Sequence, residues 1–188
     1  MVLSKITEEA SKTIVAAVKG TDDVLTALRG AVKNHVVGVL KDTSDIATTG
    51  MTAVVDVVKG AVMGAGDLGT TTASVAKGAV SAAVDAVADV GGEVLSAVTS
   101  SVQGAVSGAS ETGGDIGEVA VSAVEGAIEA AGKVGTSSAN AAKSATLAAV
   151  KAADAVGSEA GKSAREALLS AASLPKDVVE AAIKGSKK

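Results

Sequence analysis

The fold is decided by the stretch from residue 44 to residue 109. It divides into six rows of eleven residues: SDIATTGMTAV (44–54), VDVVKGAVMGA (55–65), GDLGTTTASVA (66–76), KGAVSAAVDAV (77–87), ADVGGEVLSAV (88–98) and TSSVQGAVSGA (99–109). Eleven residues in three turns correspond to about 3.67 residues per turn, close to the α-helical value of about 3.6. After four extra residues, 110–113, the rows resume at residue 114. The spacing therefore predicts α-helix through most of the chain.

A helical wheel drawn with this period separates the side chains into two arcs. Six of the eleven positions are mainly apolar, so the apolar face covers about half of the circumference. Polar groups such as Asp45, Asp56 and Lys59 fall on the opposite arc. We expect the apolar interaction face to consist of Val54, Val58, Val62, Val80, Val84, Val87, Leu95, Val98, Val102, Val106, Val121, Val124 and Ile128.

The predicted fold class is all-α, with long amphipathic helices folded back as a hairpin or an elongated bundle. Small and turn-favouring residues from Ser107 to Asp115 place the corner at 110–114. Further breaks are expected near 21–23 and 41–45, and a short final helix after Pro175. The expected segments are an N-terminal helical segment (1–43), a first repeat arm (44–109), a turn (110–114), a second repeat arm (115–174) and a short basic C-terminal helix or tail (175–188).

The composition predicts a thin apolar core. The 188 residues are 47% hydrophobic, yet they include no Phe, Trp, Tyr or Cys, and they include 22 glycines. Each glycine inside a helix costs about 0.8 to 1 kcal/mol relative to alanine. The helices are therefore expected to form when the apolar face finds a surface, either an external one or another helix. The spacings Gly60 to Gly64 and Gly104 to Gly108 favour close contact between helices.

The charges divide the chain into three parts. Residues 1–77 balance to zero, residues 78–132 contain eight acidic side chains and no Lys or Arg, and residues 133–188 carry nine basic and five acidic side chains. Folding back at 110–114 is expected to place the basic tail beside the acidic middle. Nucleic-acid binding is disfavoured, because it normally requires a basic stripe.

No motif in the sequence indicates a catalytic, phosphate-binding or metal-binding site. Residues 157–163, GSEAGKS, resemble a phosphate-binding loop, but only three residues separate the glycines and no strand is expected before them. His35 is the only histidine and has no Cys beside it, so a metal site is not expected. The sequence thus predicts no enzyme, cofactor or small-molecule substrate. The acidic start, without a signal-peptide pattern or an evident transmembrane span, favours a cytoplasmic protein, with a peripheral position on a membrane or granule as an alternative.

Two stretches suggest relatives by period and composition. Residues 54–66, VVDVVKGAVMGAG, and 75–80, VAKGAV, resemble the eleven-residue repeats of the synuclein family and of group 3 late embryogenesis abundant proteins. Phasins, which coat polyester storage granules, are similar in being Ala-rich helical surface coats. These resemblances imply a chain that is disordered in water and becomes helical on membranes or on drying.

Two functions remain open at this point. The first is a non-enzymatic coat or dehydration protectant, whose Val/Ala face adsorbs to a lipid membrane or a storage granule. The second is a structural scaffold that assembles with copies of itself through the same face into a helical bundle or filament.

Overall fold

The computed structural model describes residues 2–18 and 23–185, and all regular structure in these ranges is helical. The α-helices of the described residues are α1 (Val2–Val18), α2 (Val24–Asp42), α3 (Met51–Met63), α4 (Thr72–Asp89), α5 (Val94–Thr112), α6 (Ile116–Lys133), α7 (Ser138–Val156), α8 (Ser158–Ser170) and α9 (Lys176–Gly185). A π-helical turn, Ile46–Gly50, precedes α3, and a 3-10 turn, Ala65–Leu68, follows it. The prediction of an all-α protein is confirmed.

The breaks before α4, α5, α6 and α7 recur at intervals of 22 residues. Gly69, Gly91, Gly113 and Gly135 all have φ between 66° and 78°, the left-handed conformation that glycine adopts without a Cβ penalty and that terminates helices. The N-cap residues of these helices are also 22 residues apart. Their side chains accept hydrogen bonds from first-turn N–H groups, and they are Thr71, Glu93, Asp115 and Ser137. One helical unit is therefore as long as two rows of eleven.

The individual helices are shorter than the expected repeat arms. The arm at 44–109 is interrupted at 69–71 and 91–93, and the arm at 115–174 is interrupted at 135–137 and at Gly157, so each contains several helices. The four residues taken as extra, 110–113, are not an insertion, because Gly91, Gly113 and Gly135 are evenly spaced.

Other expected breaks coincide with helix ends. The chain leaves α5 after Thr112, α2 ends at Asp42, and α9 starts directly after Pro175. Asp23 caps the start of α2, while the rest of the break expected at 21–23 lies outside the described residues.

Helices of the same parity pack in rows. Along the odd row, α1 contacts α3, α3 contacts α5, α5 contacts α7 and α7 contacts α9; along the even row, α2, α4, α6 and α8 follow one another in the same way. From α1 to α5, each helix packs more extensively against the second helix after it than against the next one. The buried residues of both rows form one hydrophobic cluster. The core is therefore built by stacking alternate helices, with consecutive helices joining the two rows.

Glycines bring helices of one row into backbone contact. A β-carbon at Gly104 would collide with the carbonyl group of Val55, and one at Gly108 would lie 2.8 Å from the carbonyl oxygen of Lys59. A β-carbon at Gly126 of α6 would lie 2.5 Å from the carbonyl oxygen of Lys77 in α4. From Gly104 to Gly108 on α5, the contacted residue on α3 moves forward by four as well, from Val55 to Lys59. The helices α3 and α5 therefore run in the same direction. Side chains larger than hydrogen are excluded at these points.

We predict opposite effects of two alanine substitutions in helix interiors. Gly104→Ala should lower the free energy of unfolding by about 1 to 3 kcal/mol, because the added methyl group meets the backbone of α3. Gly38→Ala in α2, where nothing lies within 4 Å of the added methyl group, should raise it by about 0.8 to 1 kcal/mol. Urea unfolding followed by circular dichroism measures both. A Gly104→Ala variant as stable as Gly38→Ala would contradict the packing described.

Candidate functional site

The expected apolar interaction face lies inside the fold. Ten of its members are at most 1% exposed: Val54, Val58, Val62, Val80, Val84, Val87, Val98, Val102, Val106 and Val124. The remaining three, Leu95, Val121 and Ile128, are partly buried and pack against the same cluster. The structure thus brings all thirteen side chains into one core, and in this arrangement they cover one another.

Small side chains dominate this core. Valine and alanine supply most of it, and the largest fully buried side chains are Ile14, Leu28 and Leu168. Burial contributes about 25 cal/mol per Å² of apolar surface, so a small side chain stabilises the fold less than a large one. The larger apolar side chains that are exposed among the described residues, Leu25, Val156 and Leu169, lie on separate helices.

The contact between α1 and α3 repeats the backbone packing seen deeper in the row. A β-carbon at Gly60 would lie 2.6 Å from the carbonyl oxygen of Thr7 and 2.9 Å from the amide nitrogen of Ser11. One turn later, a β-carbon at Gly64 would lie 2.6 Å from a methyl group of Val15. The helix α1 therefore lies directly on the glycine face of α3.

A carboxylate is buried beneath α1. Asp56 of α3 is only 8% exposed, and its Oδ1 accepts a hydrogen bond of 3.3 Å from the hydroxyl group of Thr7. Its Oδ2 is buried and has no hydrogen-bond partner among the described residues. Burial raises the pKa of Asp56, while the Thr7 hydroxyl and the charge of Lys59 act in the opposite direction. A charged group held in this way opposes the packing of α1.

Sequence reasoning placed Asp56 on the solvated arc and missed its burial. The available signal was weak: valines at 54, 55, 57 and 58 surround it, and Gly60 follows it by one turn. The wheel could not show that α1 returns to cover this arc of α3.

Ion pairs link alternate helices within each row, α2 to α4, α3 to α5 and α4 to α6. Lys33 lies 2.7 Å from Asp89, Lys59 lies 2.5 Å from Glu111, and Lys77 lies 3.2 Å from Glu125. Each pair joins a lysine of residues 1–77 to an acid of residues 78–132. In the described residues the acidic middle is thus mainly matched by the head of the chain, whereas the basic tail had been expected beside it. These pairs are partly exposed, and such pairs typically contribute about 0 to 1 kcal/mol each.

An open groove of about 770 Å³ lies between α6 and α8. Its polar lining includes Asp115, Glu118, Glu159, Lys162 and Glu166, and its floor is made of small side chains from both helices. Within the described residues, no group of three or more His, Cys, Asp or Glu side chains is placed to hold a metal ion. The lining contains no paired nucleophile and base, so the groove offers no recognisable chemistry.

The lone histidine and the segment that resembles a phosphate-binding loop both lie in or between helices. His35 is half-buried within α2. The GSEAGKS segment lies at the junction of α7 and α8, where Gly157 precedes the first residue of α8 and a helix, rather than a strand, comes before it.

One helical window, Ile46–Met63, is long and apolar enough to cross a membrane by length and composition alone. Half of it is buried in the fold, and core helices pass the same criterion. No such span was expected from the sequence, and this window includes the charged residues Asp56 and Lys59.

Comparison with models of known protein families gives no match, and comparison with curated proteins gives none either. The function is therefore inferred from the geometry of the chain itself.

We predict that Asp56→Asn stabilises the protein at neutral pH. The folded state holds the pKa of Asp56 above its ordinary value, so ionisation at pH 7 destabilises the fold and protonation removes that cost. The amide should raise the free energy of unfolding by about 1 kcal/mol at pH 7. The difference should shrink as the pH falls from the raised pKa of Asp56 toward the ordinary pKa of an aspartate, and it should be absent below the latter.

Chemical unfolding at several pH values measures this difference, with Asp67→Asn as the control because Asp67 is exposed. An Asp56→Asn variant that is less stable than the parent protein at pH 7 would disprove the destabilising role of the carboxylate.

Proposed function

We propose that this protein is a non-enzymatic coat or protectant that stores its apolar face inside a closed helix stack and releases it onto an apolar surface. The surface would be a lipid membrane or a storage granule, and the location would be cytoplasmic and peripheral to that surface. No cofactor, nucleic acid or small-molecule substrate is required.

One observation carries the proposal: the face expected to adsorb is the same face that fills the core. Ten of its thirteen side chains belong to the internal cluster, and the other three pack against it. A helix cannot bury one face in the stack and on a lipid surface at the same time. The closed and surface-bound forms therefore exclude each other.

The cost of opening supports the same proposal. Because the core has no aromatic side chain and consists mainly of valine and alanine, each helix gives up little apolar burial when it leaves the stack, and an apolar surface replaces that burial. The ion pairs between helices are partly exposed and oppose separation weakly. Glycines at 22-residue intervals provide joints at which whole helices can reorient.

We infer that the eleven-residue repeat describes the opened form. Two rows make one 22-residue unit, and in a chain lying on a surface the period of about 3.67 residues per turn keeps the valines on one side of each helix. A hairpin or an elongated bundle would then be a partly opened intermediate.

A structural scaffold is the second candidate, and the glycine contacts favour it. Gly60, Gly104 and Gly126 each admit a neighbouring backbone at a specific point, which is a property of permanent packing. In this case the stack would remain closed, and assembly would involve other surfaces of the protein.

Cross-linking tests whether the stack must open. The chain contains no cysteine, so two pairs can be introduced cleanly: Lys59→Cys with Glu111→Cys, and Lys77→Cys with Glu125→Cys. Both pairs replace ion-paired side chains, and a short bismaleimide would join α3 to α5 and α4 to α6. We expect the joined protein to bind phosphatidylcholine vesicles and triglyceride emulsion at least about tenfold more weakly than the parent protein in flotation assays.

A matched control joins Glu129→Cys to Lys133→Cys, an ion pair within α6, and should leave binding unchanged. Equal binding by the doubly joined protein and this control would contradict opening. The scaffold would be favoured if the parent protein bound neither the vesicles nor the emulsion and its helicity increased with protein concentration.

A further inference from the structure

The two ends of the odd row differ in how their terminal helices are held. At one end, α1 lies on Gly60 and Gly64 and covers the carboxylate of Asp56. At the other end, the buried residues of α9 are apolar: Val179, Ala182 and Ile183. The interface beneath α1 therefore contains an ionisable group that has no counterpart among the buried residues of α9.

Among the side chains that the structure describes, the charges near Asp56 compensate its carboxylate only weakly. Lys59 lies one turn away on α3, but its amine is 2.5 Å from Glu111 of α5. On α1, Glu8, Glu9 and Lys12 are exposed, and Lys12 pairs with Glu8 at 2.6 Å.

Two lysines on other neighbouring helices are engaged elsewhere. Lys33 of α2 forms an ion pair with Asp89, and Lys77 of α4 forms ion pairs with Glu125 and Glu129. The Thr7 hydroxyl, which also interacts elsewhere, supplies the hydrogen bond to Oδ1, while Oδ2 faces a buried environment.

We propose that α1 is a releasable cover on α3, seated when Asp56 is protonated and loosened when Asp56 is ionised. Protonation removes the buried charge and gives the carboxyl group a proton to donate, which strengthens the contact. Ionisation restores the free-energy cost of burying a charge in the contact between α1 and α3, where Asp56 lies. Because burial raises the pKa of Asp56, the change occurs above the usual range of an aspartate.

Release of α1 would uncover the glycine face of α3 together with the buried Ile14 and Val15 of α1 itself. This step deepens the proposed function, since it identifies which helix of the stack opens first and what controls it. Its biological use depends on that function, but the release itself requires no lipid.

Hydrogen exchange of the full chain, without lipid, tests the release. Peptides from α1 and α9 are compared between about pH 4.5 and pH 7.5, with the intrinsic pH dependence of exchange removed. We expect the protection of α1 to fall by about threefold or more relative to α9 as the pH rises. In Asp56→Asn, the ratio of α1 to α9 protection should not change with pH.

Asp85→Asn is the matched control. Asp85 lies in α4, and burial raises its pKa as well. The variant therefore tests whether removing such a charge anywhere in the stack has the same effect. This variant should retain the pH dependence of α1. A constant α1 to α9 ratio in the unaltered chain would overturn the proposal, as would an unchanged pH dependence in Asp56→Asn. Should Asp56→Asn fail to fold, the unaltered chain alone decides, and neither result depends on lipid binding.

Discussion

Direct contact between backbones of alternate helices is the constraint on which the structure depends. Where Gly60, Gly104 and Gly126 face the second helix before them, the missing side chain allows two helices to approach until one backbone touches the other. Close approach compensates for the absence of large side chains, because valines and alanines can fill only a narrow space between helices. The 22-residue interval between helix ends keeps this contact in register from α3 to α6.

The sequence allowed much of the fold to be predicted. The apolar period predicted the helices, and turn-favouring residues located the breaks at Gly113, Asp42 and Pro175. The other breaks were missed in part because a single glycine in the left-handed conformation, such as Gly69, looks in sequence like a glycine within a helix. The stacking of alternate helices could not be derived, since every unit presents nearly the same small apolar side chains and no local feature specifies the partner.

For the candidate site, the sequence predicted an apolar face but not what covers it. Ten residues of the expected face belong to one buried cluster, and Leu95, Val121 and Ile128 pack against it. Whether such a face is covered by its own chain or by an external surface cannot be read from periodicity, because the burial of apolar area has a similar free energy in both cases. Asp56 shows the complementary difficulty. Its position on the wheel is polar, yet it is buried against α1, where its hydrogen-bond partner Thr7 is 49 residues away in sequence.

The most direct test of the account is a nuclear Overhauser measurement on the protein in dilute buffer. The close approach of α5 to α3 predicts cross-peaks between the α-protons of Gly104 and Val55, and the approach of α6 to α4 predicts them between Gly126 and Lys77. Helical chemical shifts in these segments without those cross-peaks would contradict the stack, and with it the storage of the valine face inside the chain.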